Sequence, residues 1–237
     1  MYYHNSRRAL QPRGMKMRAG SGPKPLAIVL AVVVAAVIAY WGYTTYKQRV
    51  LDATTVASIE DASQRLRAAL NAGAPGPIAM QAAERIGADA EEVDRRLQAL
   101  RRAGPASDIA LVDAADSYLL TARELLKRIA GSHKQRLMLA DSSQALRNHM
   151  RVDTRTGAWV SEAVRGKARM DKDFRGFRID TEMTDKLLAS FHESQNKIAP
   201  YVGAAVLIDE KLVAEARQRA NQELKRATAE NESFRRR

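Results

Sequence analysis

The stretch PLAIVLAVVVAAVIAYWGYTTYKQR, Pro25 to Arg49, decides how the rest of the chain is to be read. From Leu26 to Tyr43 it holds 18 residues without a charge or a strongly polar side chain, and Thr44 to Tyr46 extend the uncharged run to 21. About 20 apolar residues in a helix cross a hydrocarbon core of roughly 30 Å. A helix from a soluble core shows a polar face, and this stretch has none. Tyr40, Trp41, Tyr43 and Tyr46 gather at its C-terminal end, where amphipathic rings settle at headgroup level.

A cleaved signal peptide is the nearest rival, because basic residues precede the run and Val37-Ile38-Ala39 offers small-residue cleavage chemistry. Yet the run exceeds an h-region of about 7 to 15 residues, and cleavage after Ala39 would leave the aromatic cluster on a new N-terminus. The expectation is an uncleaved transmembrane signal anchor over residues 26–46.

Flanking charge gives the orientation. Arg7, Arg8, Arg13, Lys16, Arg18 and Lys24 precede the run without a single acid, whereas the twenty residues after it carry only Lys47, Arg49 and Arg65 as bases. Six bases against three keep the N-terminal side in the cytoplasm. Residues 1–25 then form a basic cytoplasmic tail and residues 47–237 an extracytoplasmic domain. The Ala- and Arg-rich composition suggests a bacterial source, which places the anchor in the inner (cytoplasmic) membrane and the bulk of the chain in the periplasm.

The chain has no cysteine, so disulfide staples, thiolate metal sites and cysteine nucleophiles are excluded. Packing alone must hold the domain, and 5% aromatic content leaves that work to Leu, Ile, Val, Met and Ala. Helical periodicity recurs with no convincing strand. Ile59, Leu66 and Leu70 predict a helical stalk continuing from the anchor, and Asn71-Ala-Gly-Ala-Pro-Gly-Pro77 stops it. A second helix is expected from Pro77 past Ile86, Val93, Leu97 and Leu100 to Gly104-Pro105. A third begins at an Asp108 N-cap, and its Val112, Ala115, Leu119, Ala122, Leu126 and Ile129 form an a/d seam ending near Gly131. Leu111, Tyr118 and Leu125 widen that seam beyond what a two-stranded coil needs.

Beyond Gly131 separate helices are expected over 134–150, with Leu137, Ala140 and Leu146 inward, over 158–170, over 180–199 and from about 205 to 230. Only Leu224 is large and apolar between Gln218 and Glu230, so that last third reads as exposed. The fold class is all-α: a single transmembrane helix followed by an antiparallel helical bundle.

Two groups of residues are candidates for recognition. Ala27, Ala31, Ala35 and Ala39 recur every fourth residue and form a small-residue stripe on which transmembrane backbones approach closely; such a stripe suits a partner helix or a second copy of this chain. Residues 147–178 carry nine bases against four acids. Within them Arg165, Lys167, Arg169, Lys172, Arg175 and Arg178 suit an acidic partner or anionic headgroups. The competing reading is an irregular solvated connection with Trp159, Phe174 and Phe177 tucked inward.

His149 and Asp153 with Met150 start a metal site but lack a third ligand at any recognisable spacing. No serine-hydrolase elbow, phosphate loop or zinc-protease motif occurs. No enzyme activity, metal or cofactor is therefore expected. Despite a net charge of +12, no helix-turn-helix, zinc-finger or RNA-recognition signature accompanies it, so nucleic acid is not the expected partner. The partners expected are the lipid bilayer and other membrane or envelope proteins. The function expected is that of an interaction subunit or scaffold in an envelope complex. The alternative is a ligand-sensing helical ectodomain that signals through a separate partner.

Overall fold

A computed structural model describes residues 25–72, 79–103, 108–151 and 156–235. Five α-helices follow one another: α1 (Pro25–Asn71), α2 (Ala79–Arg102), α3 (Ile109–Met150), α4 (Gly157–Ile198) and α5 (Glu210–Arg235). No strand occurs among the described residues. The predicted basic tail and the Gly- and Pro-rich joints at 73–77 and 104–105 lie outside them, as does Asp153.

Contacts divide the chain into two units, at Thr45 and Tyr46. In the first, α1 presents apolar side chains that nothing covers, from Val29 at 62% exposure to Trp41 at 72%. Among the described helices it is the one long and apolar enough to cross a membrane. Thr44 and Thr45 donate their hydroxyls to the Trp41 carbonyl at 2.9 and 2.8 Å, so these polar groups are satisfied within the helix itself.

In the second unit, Thr55, Ile59, Ala62, Leu66 and Ala69 are buried and alternate steps of four and three, one stripe of α1. The stripe enters a core with Val93 and Leu97 of α2, Leu119 and Leu126 of α3, and Phe191 and Ile198 of α4. Side-chain pairs give the directions. Asp61 with Arg96 at 3.1 Å and Arg65 with Asp89 set α2 antiparallel to α1. Arg101 with Asp116 and Arg123 with Asp94, both 2.6 Å, set α3 antiparallel to α2. Tyr118, fully buried, packs in a tilted ring contact at 5.6 Å with Phe191 of α4 and shares a 2.7 Å hydrogen bond with Ser63 of α1. Burial pushes its phenol up to about 12, with the Ser63 bond pulling slightly the other way.

The long α3–α4 hairpin extends past this core. The seam over Val112 to Ile129 packs as its spacing predicts, but α3 does not stop at Gly131. Glycine there and at Gly176 leaves room for a side chain of the facing helix: a Cβ on Gly131 would stand 2.6 Å from Asp180 Oδ2, and one on Gly176 2.8 Å from Gln135 Oε1. The Asp180 and Gln135 side-chain ends occupy the space that a Cβ would take at these two positions. The expected helices over 158–170 and 180–199 are likewise one continuous α4, so the irregular connection expected there is not formed among residues 156–198.

A second, smaller core lies at this end, where Leu139 and Leu146 of α3, Met170, Phe174 and Phe177 of α4, and Ala227 and Phe234 of α5 meet. Leu139 is buried and Ala140 exposed, which reverses the expected inward assignment of Ala140. The end of α5, expected to be exposed, is seated by Ala227 and Phe234. It runs parallel to α3, with Arg136 at 3.5 Å from Glu223 and Arg147 at 2.8 Å from Glu230.

Pro200 ends α4, but α5 begins only at Glu210, not at 205. Buried Gln195 donates to the Ile208 carbonyl at 3.2 Å and accepts from its N–H at 2.6 Å, while Arg67 caps the carbonyls of Ala205 and Leu207. The backbone polar groups of the intervening segment therefore find partners without a helix.

Candidate functional site

Ala31, Ala35 and Ala39 all stand exposed on α1; the Ala27 side chain lies outside what the structure describes. Their four-residue spacing keeps them on neighbouring turns of one helix face.

The six bases of the central segment separate once α4 is continuous. Arg165, Arg169 and Lys172 follow at i, i+4 and i+7 on one face, all exposed, and exposed Arg175 extends the row by another turn. Lys167 points away and is half-buried, and Arg178 is engaged by Glu182 at 3.2 Å. Buried Phe174 and Phe177 occupy the opposite side of α4, so the row faces solvent. Elsewhere the bundle joins arginines to acids across helices, as with Arg123 and Asp94, Arg128 and Asp180, and Arg217 and Asp185. Lys167, Arg169, Lys172 and Arg175 have no ion-pair partner among the described residues. Val164 and Ile179 are exposed at 63% and 54% beside the row, and Val160, exposed at 51%, lies on the Lys167 side of the helix. Basic and apolar contacts thus lie together on one helix.

The start of α4 is fixed by its N-cap and by one aromatic pair. Thr156 accepts from the Trp159 N–H at 3.2 Å. Trp159 stacks on His149 at 5.0 Å, donates its indole N–H to the His149 carbonyl at 3.1 Å and places its own carbonyl 2.8 Å from His149 Nε2. His149 is therefore engaged in closing the hairpin. Among the described residues no group of three or more metal-ligating side chains stands together.

A feature that the sequence reading missed lies where α1 ends and α5 takes its place beside α3. A cavity of about 210 Å³ is walled by Leu70, Ile129, Phe177 and Leu188, and by His133, Arg136, Thr181, Arg219, Glu223 and Arg226. Thr181 is only 2% exposed, and its hydroxyl has no partner. The contrast with Thr55, Thr121, Thr184 and Thr228 is informative, since each of these donates to the carbonyl four residues back. His133 Nδ1 is also buried without a partner, and burial lowers the imidazole's affinity for a proton.

Arg136 Nε and Nη1 stand 3.5 and 3.6 Å from Glu223 and Glu230, within ion-pair reach but without hydrogen-bond geometry. Burial works to raise the Glu230 carboxyl; hydrogen bonds from Ser143 and Arg147, with the charges of Arg136 and Arg147, outweigh it and hold the group below the ordinary carboxylate range.

The signal for this site was present as polar residues at inward phase. Arg136 comes seven residues after Ile129 on α3, and Thr181 seven before Leu188 on α4.

No protein-family model, curated protein or solved structure matches the chain.

Proposed function

We propose that this chain is a non-enzymatic, single-pass membrane protein serving as an interaction subunit or scaffold in a bacterial envelope complex. Residues 26–46 anchor it in the inner membrane as an uncleaved signal anchor. The basic tail stays in the cytoplasm and residues 47–237 fold in the periplasm. The outward face of α4 docks an acidic envelope protein, and the Ala27, Ala31, Ala35 and Ala39 stripe packs a neighbouring transmembrane helix or a second copy.

The observation that carries the docking role is the exposed row of Arg165, Arg169, Lys172 and Arg175 flanked by bare Val164 and Ile179. Such a face supplies both the charge that orients a partner and the apolar area that holds it. The test is a photo-crosslinking residue at Val164, with one at exposed Ser190 as control. Adducts with an acidic protein at Val164 alone, lost when the four bases become Gln, are expected. Adducts with lipid, or equal adducts at both positions, would remove this face as the protein-docking surface.

A ligand-sensing ectodomain is the second reading, and the cavity with its unpartnered Thr181 hydroxyl favours it.

A further inference from the structure

We infer that the cavity bounded by α1, α3, α4 and α5 binds a small monocarboxylate with an apolar body, its oxygens accepting hydrogen bonds from Thr181 and Arg136. This goes beyond the docking role and rests on the ligand-sensing reading.

Size sets the first limit. An apolar cavity of about 150 Å³ accepts benzene, so about 210 Å³ admits a ring or a six-carbon chain together with one carboxylate. Chemistry sets the second. One part of the wall is Leu70, Ile129 and Leu188, which offers no hydrogen bond, and the other holds donors left unsatisfied. Buried polar groups are ordinarily satisfied. The Thr181 hydroxyl, turned from the backbone bond that other helical threonines here make, is a donor awaiting an acceptor.

Charge favours an anion. Arg136, Arg219 and Arg226 line the cavity with one carboxylate, Glu223, which Arg226 engages at 2.6 Å; Arg136 stands 3.5 and 3.6 Å from Glu223 and Glu230, and Arg219 and Arg226 reach solvent. Arg219 is held by the Leu70 carbonyl, which accepts from it at 2.7 Å and carries no counter-charge, so this exposed guanidinium adds positive charge to the lining. The excess of positive groups disfavours a cation, and a carboxylate accepts from the Arg136 donors that lack hydrogen bonds, in the geometry that side chain favours.

The test uses the full chain in lipid nanodiscs, followed by thermal unfolding with benzoate, hexanoate, benzyl alcohol, hexanol or inorganic phosphate. A carboxylate with a Kd of about 1 mM, supplied at about 10 mM, raises Tm by roughly 3 °C; the alcohols and phosphate raise it by less than about a third of that. Thr181→Val keeps the side-chain shape without the hydroxyl and weakens benzoate binding by about fivefold or more.

Ala220→Leu, placed in the wall, abolishes the shift while leaving the ligand-free Tm unchanged or higher, which separates a filled cavity from an unfolded variant. Equal shifts from alcohols and carboxylates would overturn the carboxylate assignment while leaving a ligand-binding ectodomain standing. A shift that survives Ala220→Leu would overturn the assignment of the cavity. No shift from any compound would end the inference, and the sensing reading would then rest on no observation.

Discussion

Two stretches of α1 invite comparison. From Val29 to Tyr46 its large apolar side chains stand bare in every direction around the helix, whereas from Thr55 to Leu70 the apolar groups are confined to one stripe and covered by α2, α3 and α4. Water tolerates the second arrangement, because the polar face remains solvated while the stripe is buried. It does not tolerate the first at such length, since a contiguous bare surface of this kind calls for a partner or a bilayer. One helix thus carries two patterns of exposure, with the change falling after the aromatic cluster Tyr40 to Tyr46.

The most forceful way to break the comparison is to make the bare stretch polar. Val33→Arg with Val37→Arg places two charges mid-run, each opposing insertion by roughly 3 kcal/mol. Membrane-pelleted protein is expected to fall to background in cell fractionation. Retention in the pellet after carbonate washing would mean that the stretch is not held by hydrocarbon.

The covered stretch should respond in the opposite manner. Leu66 is fully buried, and Leu66→Ala is expected to lower bundle stability by about 3 kcal/mol in denaturant unfolding while membrane retention stays unchanged. A loss below about 1 kcal/mol would show that α1 does not contribute to this core.

The smallest expected effect sharpens the comparison against the far end of the hairpin, where polar groups supply much of the cohesion. Glu230 accepts from Ser143 at 2.7 Å and from Arg147 at 2.8 Å, and Glu230→Gln should cost roughly 2 kcal/mol at neutral pH. The carboxyl lies below its ordinary 4.5 in the folded chain. Its contribution is therefore complete above about 4.5 and is lost as pH falls through the folded value. The stability gap between the native chain and Glu230→Gln should close on acidification, whereas the Leu66→Ala gap should not. Parallel pH profiles for the two variants would contradict that assignment.

These regions also differ in how legible they were in the sequence. The bare run and the a/d seam of α3 could be read directly, because uniform apolarity and a strict three-four repeat are both patterns carried by apolar residues. Past Gly131 the inward positions include Arg136, Ser143, Asp173 and Thr181, and a hydrophobic pattern cannot reveal a face built from polar side chains. Glycine compounded the difficulty, since Gly131 carries the residue type of a helix stop yet lies inside continuous α3 with the Asp180 carboxylate beside it. The basic row was visible as composition, but only the continuous α4 separates Arg165, Arg169, Lys172 and Arg175 from buried-side Lys167 and paired Arg178. Arg136 and Thr181 at inward phase were the one trace of the site, and the cavity itself depends on α1 ending where α5 arrives, which periodicity does not record.

The central claim, an anchored helix with the bundle outside the cytoplasm, is tested most directly through the absence of native cysteine. Single cysteines at Ser6 and at exposed Ser190 are treated in spheroplasts with a membrane-impermeant maleimide, and chain length is checked on the same gel. The account predicts labelling at Ser190→Cys and none at Ser6→Cys, on a full-length chain. Labelling at Ser6→Cys alone would contradict it and place the bundle in the cytoplasm.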